Sequence, residues 1–265
     1  MNQNTKAATM APLRTDAEVP SSRPSRLDRY FSVMISRGLY TCERNLRNHV
    51  KAVFGEFEFR HKRVLEVGGG NGLLSFYAAS CEAAEVVCLE PEAAGSTSGS
   101  NLRFDQIKAQ LGLANVFLQK VTLQQFDPGN KTFDLIVLHN SINHLDEKAC
   151  IHLLRDEAAK NIYRAIFRRL RLFSNRGAGL IVSDCSRHNL FPLLRLRNPF
   201  APSIEWHKHQ APEIWAALLA EEGFEQPSIR WTSYNSLGRL GRLLFGNKFI
   251  SFLWVSHFRL EMTTS

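Results

Sequence analysis

Nowhere in the 265-residue chain is there a run of about 18 uncharged apolar residues, so no membrane-spanning helix is expected. The first 25 residues lack a continuous apolar stretch, which argues against a secretory signal, and Asp16 and Glu18 count against a transit peptide. Cysteine is sparse: Cys42, Cys81, Cys88, Cys150 and Cys185 are odd in number and form no C-x-x-C pair. That scatter suits neither a disulfide framework nor a zinc site, and reduced, mostly buried thiols are expected. No internal repeat or low-complexity tract occurs. The cytoplasm is the expected compartment, with peripheral contact at an anionic membrane surface left open.

What is present suits a folded protein with a proper core, since 44% of the residues are hydrophobic and 22% charged. The net charge of +8 is unevenly spread. Residues 1–62 hold 11 basic against 6 acidic side chains, residues 63–185 hold 13 of each, and residues 186–265 hold 9 against 6. The basic excess therefore flanks a neutral centre, where it can attract an anionic substrate, a membrane surface or nucleic acid.

Residues 1–25 read as a flexible leader and residues 26–60 as a helical cap, with Leu46, Val50, Val53 and Phe54 at helical spacing. From residue 61 to the end the pattern is that of one domain. Short apolar runs, V-L-E-V, E-V-V-C-L-E, N-V-F-L-Q, F-D-L-I-V-L-H and G-L-I-V-S-D, alternate with helical stretches. These are Gly72–Ser80, Ser100–Leu111 and one long amphipathic segment over Lys148–Phe173, ended by Gly177 and Gly179. Such alternation implies right-handed βαβ units and a parallel sheet covered on both faces. A further helix is expected from Pro212 to a stop at Gly223, then closing strands P-S-I-R-W-T-S-Y and F-I-S-F-L-W-V-S-H-F-R-L-E-M around a basic connection, Leu237–Lys248.

The run R-V-L-E-V-G-G-G-N-G-L-L, Arg63 to Leu74, strips side chains from the backbone where the first strand hands over to a helix. Bare backbone at that junction lets a nucleotide approach the amides of a helix N-terminus. Glu90 ends the second strand 20 residues after Gly70, where a carboxylate can accept from both ribose hydroxyls. A dinucleotide fits poorly: the sixth position of G-x-G-x-x-G is Leu73 counted from Gly68 and Ser75 counted from Gly70. Glu66, just before the glycines, would repel a pyrophosphate but can meet an ammonium group.

The run E-V-G-G-G-N-G with Glu90 resembles the E-x-G-x-G-x-G motif of class I S-adenosylmethionine-dependent methyltransferases, over roughly residues 60–260. The resemblance implies a Rossmann-like three-layer α/β sandwich whose seven-strand sheet is mostly parallel with the last strand antiparallel, and S-adenosyl-L-methionine as methyl donor. It implies a methionine-side loop of Glu66, Gly68, Gly70 and Gly72, and a ribose contact at Glu90. The family's acidic residue after the third strand is missing, so adenine recognition is expected from backbone at Lys120, Val121 and Thr122. His139 joins the cofactor set in a mainly structural role, because it directly continues the fourth strand.

The acceptor is expected beyond the fourth and fifth strands. L-H-N-S-I-N-H-L-D-E lacks the N-P-P-Y type motif of nucleic-acid base methylation. It looks more like the tip of small-molecule and lipid-quinone methyltransferases, with a His at the position of His144. His144 is the candidate base, with Asp184, His207 and His209 as further acid–base or rim residues. The histidine pair His207 and His209, with Glu205 nearby, lacks a further ligand at a recognisable spacing, and no metal is expected. The expected activity is methyl transfer, to oxygen rather than nitrogen, on a small-molecule, glycan or lipid acceptor. An RNA methyltransferase and a non-catalytic S-adenosylmethionine-binding protein are the rivals; no RNA-binding module supports nucleic acid as a partner. Two segments, F-P-L-L-R-L-R-N-P-F and R-L-G-R-L-L-F-G-N-K-F, mix basic and large apolar residues as a membrane-facing surface would.

Overall fold

The computed structural model describes residues 24–92, 98–232 and 246–265. Residues 1–23 of the expected leader and 237–245 of the expected basic connection lie outside the described residues. Seven strands, β1 (Arg63–Val67), β2 (Glu85–Leu89), β3 (Val116–Gln119), β4 (Phe133–His139), β5 (Ser174–Cys185), β6 (Phe224–Trp231) and β7 (His257–Thr264), form one sheet. Their order is β3-β2-β1-β4-β5-β7-β6. The pairings from β3 through β5 are parallel, while β7 runs antiparallel between β5 and β6. The mostly parallel seven-strand sheet with a reversed last strand is therefore observed. Its order reverses between β1 and β4, which opens a crevice at their carboxyl ends.

Period-two alternation along the buried strands feeds two cores. Val64, Val86, Leu135, Val137 and Ile181 face one way, against α1 (Arg26–Ser36), α2 (Glu43–Phe54), α3 (Leu73–Ser80) and α4 (Ser100–Leu111). Leu65, Val87, Ile136, Leu180 and Leu260 face the other way, against α5 (Glu147–His152), α6 (Glu157–Phe173) and α8 (Pro212–Glu221). Trp215 of α8 is fully buried there against Tyr163 and Phe167 of α6. Helices α1 and α2 thus complete a sheet face rather than merely closing one end. The Ser25 hydroxyl and Asp28 carboxylate form a capping box that starts α1, and the Tyr30 hydroxyl donates to Leu73 O at the start of α3.

Three expectations are corrected. The long amphipathic stretch is two helices, because Asp146 accepts from Ala149 N and Asp156 from Ala158 N, each carboxylate capping a new start. Gly177 and Gly179 do not terminate a helix. They lie inside β5, where Gly177 has φ +72° and the register against β4 slips between Phe133 and Leu135. The closing run from Phe249 is not strand throughout: Asn247 accepts from Ile250 N and starts α9 (Lys248–Leu253), so β7 begins only at His257. One short helix remains, α7 (Leu190–Leu193). No helix among the described residues is long and apolar enough to cross a membrane.

Arg259 of β7 fastens α2 to the sheet. It is 3% exposed; its Nε donates to Val53 O in the last turn of α2 at 2.6 Å, and its Nη1 pairs with Glu261 at 2.7 Å. A cation at a helix C-terminus is favourable, and its removal leaves a buried carbonyl without a donor. Arg259→Met is expected to cost about 1–3 kcal/mol in urea unfolding. A loss below about 0.5 kcal/mol, the scale of an ordinary surface change, would show that this contact does not fasten the helix.

Candidate active site

The glycine turn is shaped by close packing on three sides and by space on the fourth. Gly68, Gly70 and Gly72 all have left-handed φ, +74°, +53° and +80°, a region costly for residues with a Cβ. A Cβ on Gly68 would meet Ser141 Cβ at 2.6 Å, one on Gly69 would meet Cys88 Sγ at 2.3 Å, and one on Gly72 would meet Phe104 at 2.5 Å. A Cβ on Gly70 would meet nothing within 4 Å. Gly70 borders a cleft of about 310 Å³ whose walls also include Glu66, Glu90, Thr122, Asn140 and His144.

Two buried carboxyl groups flank this cleft. Glu66, 4% exposed, accepts from the Ser75 hydroxyl. Burial pushes its carboxyl up to about 7; the Ser75 hydrogen bond opposes that rise and the nearby Glu90 adds to it. Glu90, also buried, accepts from Gly70 N at 2.8 Å and Glu92 N at 2.9 Å. It therefore ties the glycine turn to the end of β2. Bare backbone at Gly70 between the carboxyl groups of Glu90 and Glu66 leaves room for a ligand that carries hydrogen-bond donors. Val121, Thr122, Leu123 and Gln124 wall the far end.

A second cavity, of about 470 Å³, adjoins the first, and His139, Asn140 and His144 border both. It is assembled from distant elements: His49 of α2, Asp184 at the end of β5, Lys208 and His209 from the following connection, and His257 at the start of β7. His139 stands edge-on to His49 with ring centroids 5.1 Å apart. His257 bonds Thr232 Oγ1 at 2.8 Å and Asn140 Oδ1 at 3.3 Å. Burial drives these imidazoles toward the neutral form. His49 falls to about 4, with a smaller push from His257; His139 falls well below the usual range, with help from His49 and His257; and in His257 burial outweighs the opposing pull of Asp184.

His144 closes a 3₁₀ turn, Ile142–His144, at the junction of the two cavities. Its Nδ1 lies 2.6 Å from Glu147 Oε1. Burial opposes ionisation of Glu147, but hydrogen bonds from His144 and Lys208 outweigh it and hold the carboxyl below its usual range. A carboxylate there makes Nδ1 the protonated ring atom and leaves Nε2 with the lone pair. Asp184, 1% exposed, accepts from Cys185 N and lies 3.2 Å from His209 Nδ1, off the line a hydrogen bond needs.

Three sequence-predicted residues sit elsewhere. Gly72 packs against Phe104 and Phe76 and does not border the cleft. The side chain of Lys120 is 61% exposed beside Asp105, so only its neighbours Val121 and Thr122 border the cleft. His207 lies on the 3₁₀ turn Trp206–Lys208 and faces a different hollow, with Arg187, Pro192 and Phe252, while Lys208 and His209 border the second cavity. His49 and His257 carried no signal in the sequence, because nothing local links them. Asn140 carried a faint one: it follows a strand with φ +52°, a conformation Asn tolerates. Among the described residues no group of three His, Cys, Asp or Glu is arranged to hold a metal ion.

The turn allows its glycines to be told apart. Gly68→Ala and Gly72→Ala are expected to lower the melting temperature sharply, whereas Gly70→Ala keeps most of the stability and weakens S-adenosylhomocysteine binding in calorimetry. Equal melting losses in all three would contradict this division. Glu66 gives a pH signature. Without ligand, its neutral form supports the fold fully below about 4.5, and that support is lost as pH rises through about 7. A ligand ammonium needs the ionised form, so affinity is expected to weaken about tenfold per pH unit below 7. Glu66→Gln should flatten that slope; a slope identical to that of the unaltered protein would dismiss Glu66 as its source.

The sheet order, the glycine turn and the two joined cavities can be set against known proteins. No curated protein matches the sequence. A methyltransferase domain family matches residues 40–227. Similar solved structures include a SAM-dependent methyltransferase from Aquifex aeolicus, with 14% identity and TM-score 0.53, covering 92% of this chain and 94% of that one. Another is an S-adenosylmethionine-dependent methyltransferase from Mesorhizobium loti, with 12% identity and TM-score 0.54, covering 82% and 95%. Family and fold imply S-adenosylmethionine as the methyl donor. With the family match spanning most of its length, the chain belongs to the methyltransferase domain family.

Proposed function

We propose that this methyltransferase transfers the methyl group to a hydroxyl oxygen of a small-molecule, glycan or lipid acceptor bound in the second cavity. The observation that carries the reading is His144, which borders both cavities and has its Nδ1 engaged by Glu147. S-adenosylmethionine, when bound in the first cleft, supplies an electrophilic methyl on a sulfonium sulfur. The chain's own task is to align the acceptor, exclude water and dispose of one proton. A hydroxyl must lose its proton as the oxygen–methyl bond forms and the sulfur–methyl bond breaks. His144 Nε2 takes that proton, and the Glu147 carboxylate stabilises the resulting imidazolium, an arrangement of base and orienting carboxylate.

Three of the cavity's imidazoles favour an uncharged acceptor group beside them. His49, His139 and His257 are held neutral and offer hydrogen bonds without a charge to desolvate. The pair Asp184 and His209 lies deeper along the β5 end and serves as a polar anchor for the acceptor. On this reading the donor is held by Glu66, Gly70, Glu90 and the Val121–Thr122 backbone, and the acceptor by residues from five separate elements.

The test is transfer of labelled methyl from S-adenosylmethionine into fractionated small-molecule, glycan, lipid and RNA extracts. Label in a hydroxyl-bearing non-RNA fraction is the expected result; label confined to RNA would overturn the acceptor class. With that acceptor in hand, His144→Gln is expected to lower kcat by about 10²- to 10⁴-fold while S-adenosylhomocysteine affinity changes far less. Glu147→Gln should lower kcat by a smaller factor in the same direction. An unchanged kcat in His144→Gln would remove the base from the mechanism.

A further inference from the structure

Between Asp184 and Glu205 the chain has no acidic residue and three arginines, Arg187, Arg195 and Arg197. This connection leaves the sheet at β5 and passes through α7 into a tight loop. Leu193, Leu194 and Leu196 are 71%, 57% and 59% exposed, and Phe200 beyond them is 51% exposed. Arg195 and Arg197 alternate with these leucines and are exposed as well. Apolar side chains this bare are ordinary when scattered singly, but consecutive ones on one loop form a patch that marks an interaction surface.

The loop is not loose chain that could fold its leucines inward. Its base is a buried pair of asparagines. Asn189 and Asn198 are 2% and 1% exposed. Asn189 Nδ2 donates to Trp254 O at 2.8 Å, Asn198 Nδ2 donates to Asn189 Oδ1 at 3.1 Å, and Asn198 Oδ1 accepts from Phe200 N at 2.8 Å. Within the loop, Arg195 N and Leu196 N bond back to Pro192 O and Phe191 O. The backbone holds the leucines outward, and Phe249 on α9, 69% exposed, adds a further apolar side chain beyond the Trp254 end.

We propose that this loop docks the protein on an anionic bilayer surface. Charge complementarity decides the occupant: guanidinium groups interleaved with leucines match an interface where cations meet lipid phosphates and the apolar side chains enter just beneath. The position of the loop gives the docking a use. Ser203 and Ile204, which follow it directly, border the second cavity, so docking brings that cavity's rim to the membrane. The inference does not rest on the hydroxyl-acceptor reading, and it holds whichever atom is methylated.

The experiment is sedimentation of the full chain with phosphatidylcholine vesicles, with and without phosphatidylglycerol. Expected is binding only to the anionic vesicles, weakened by salt. Arg195→Glu/Arg197→Glu should weaken it by roughly fivefold or more per arginine, and Leu193→Ser/Leu196→Ser by roughly tenfold. S-adenosylhomocysteine affinity and melting temperature, unaffected in both, verify the fold; if the leucine pair unfolds, the arginine pair alone decides. Failure of the unaltered chain to bind anionic vesicles, or binding by both variants at full strength, overturns the proposal. So does a dimer in light scattering that Leu193→Ser/Leu196→Ser converts to monomer, which would assign the patch to a second copy of the chain.

Discussion

The molecule's architecture turns on the seam between β1 and β4. There the Ser141 hydroxyl donates to Val67 O at 2.6 Å, and Gly68 lies so near that any Cβ would overlap Ser141. The seam is the point where strand order reverses, so the chain must leave both strands in opposite directions within a few ångströms. Glycine solves one side of that problem and a left-handed Asn140 the other. With the two exits pinned together, the glycine turn opens toward the donor cleft and the Asn140–His144 stretch becomes the wall it shares with the second cavity. The junction of the cavities is thus a by-product of topology, and His144 inherits its place from that junction.

The electrostatics of the two cavities differ for the same reason. Beside the turn, two carboxyls share a buried space, and the space cannot hold both as anions at low cost. Glu90 has two backbone N–H donors, while Glu66 has one hydroxyl, and burial raises the Glu66 carboxyl to about 7. The second cavity has the opposite arrangement, with imidazoles whose burial keeps them uncharged. Carboxyl groups dominate the polar wall on one side of His144 and imidazoles are gathered on the other.

How much of this the sequence carries depends on whether a feature is local. The glycines and Glu90 can be read because a bare turn after a strand and an acid after the next strand are imposed by short stretches of backbone. The helical cap and the parallel strands follow from hydrophobic period and its alternation, whereas the reversed last strand comes only from the resemblance of the glycine motif to a known family. The breaks did not show. Asp156 and Asn247 start helices inside apolar runs that otherwise read as continuous, because a cap needs only one side chain and leaves the period almost untouched. His207 and His209 looked equivalent in I-E-W-H-K-H-Q, but a single 3₁₀ turn sends them to different hollows. His49 and His257 come together through α2 and β7, at opposite ends of the chain, and only the tertiary fold brings their rings to His139.

That asymmetry separates the two halves of the site. The first cleft is built at four strand ends around the glycine turn, whose conformation rests on backbone geometry. The second cavity is written in side chains from several elements, of which α2 is held to the sheet by packing and by the Arg259 contact with Val53 O rather than by a strand pairing. A substitution at His49 or Ala52 alters the acceptor wall without touching the turn, because no residue of α2 borders the donor cleft. The walls of the two cavities are therefore physically separable in this chain, and His139, Asn140 and His144 are the described residues where a change must affect both.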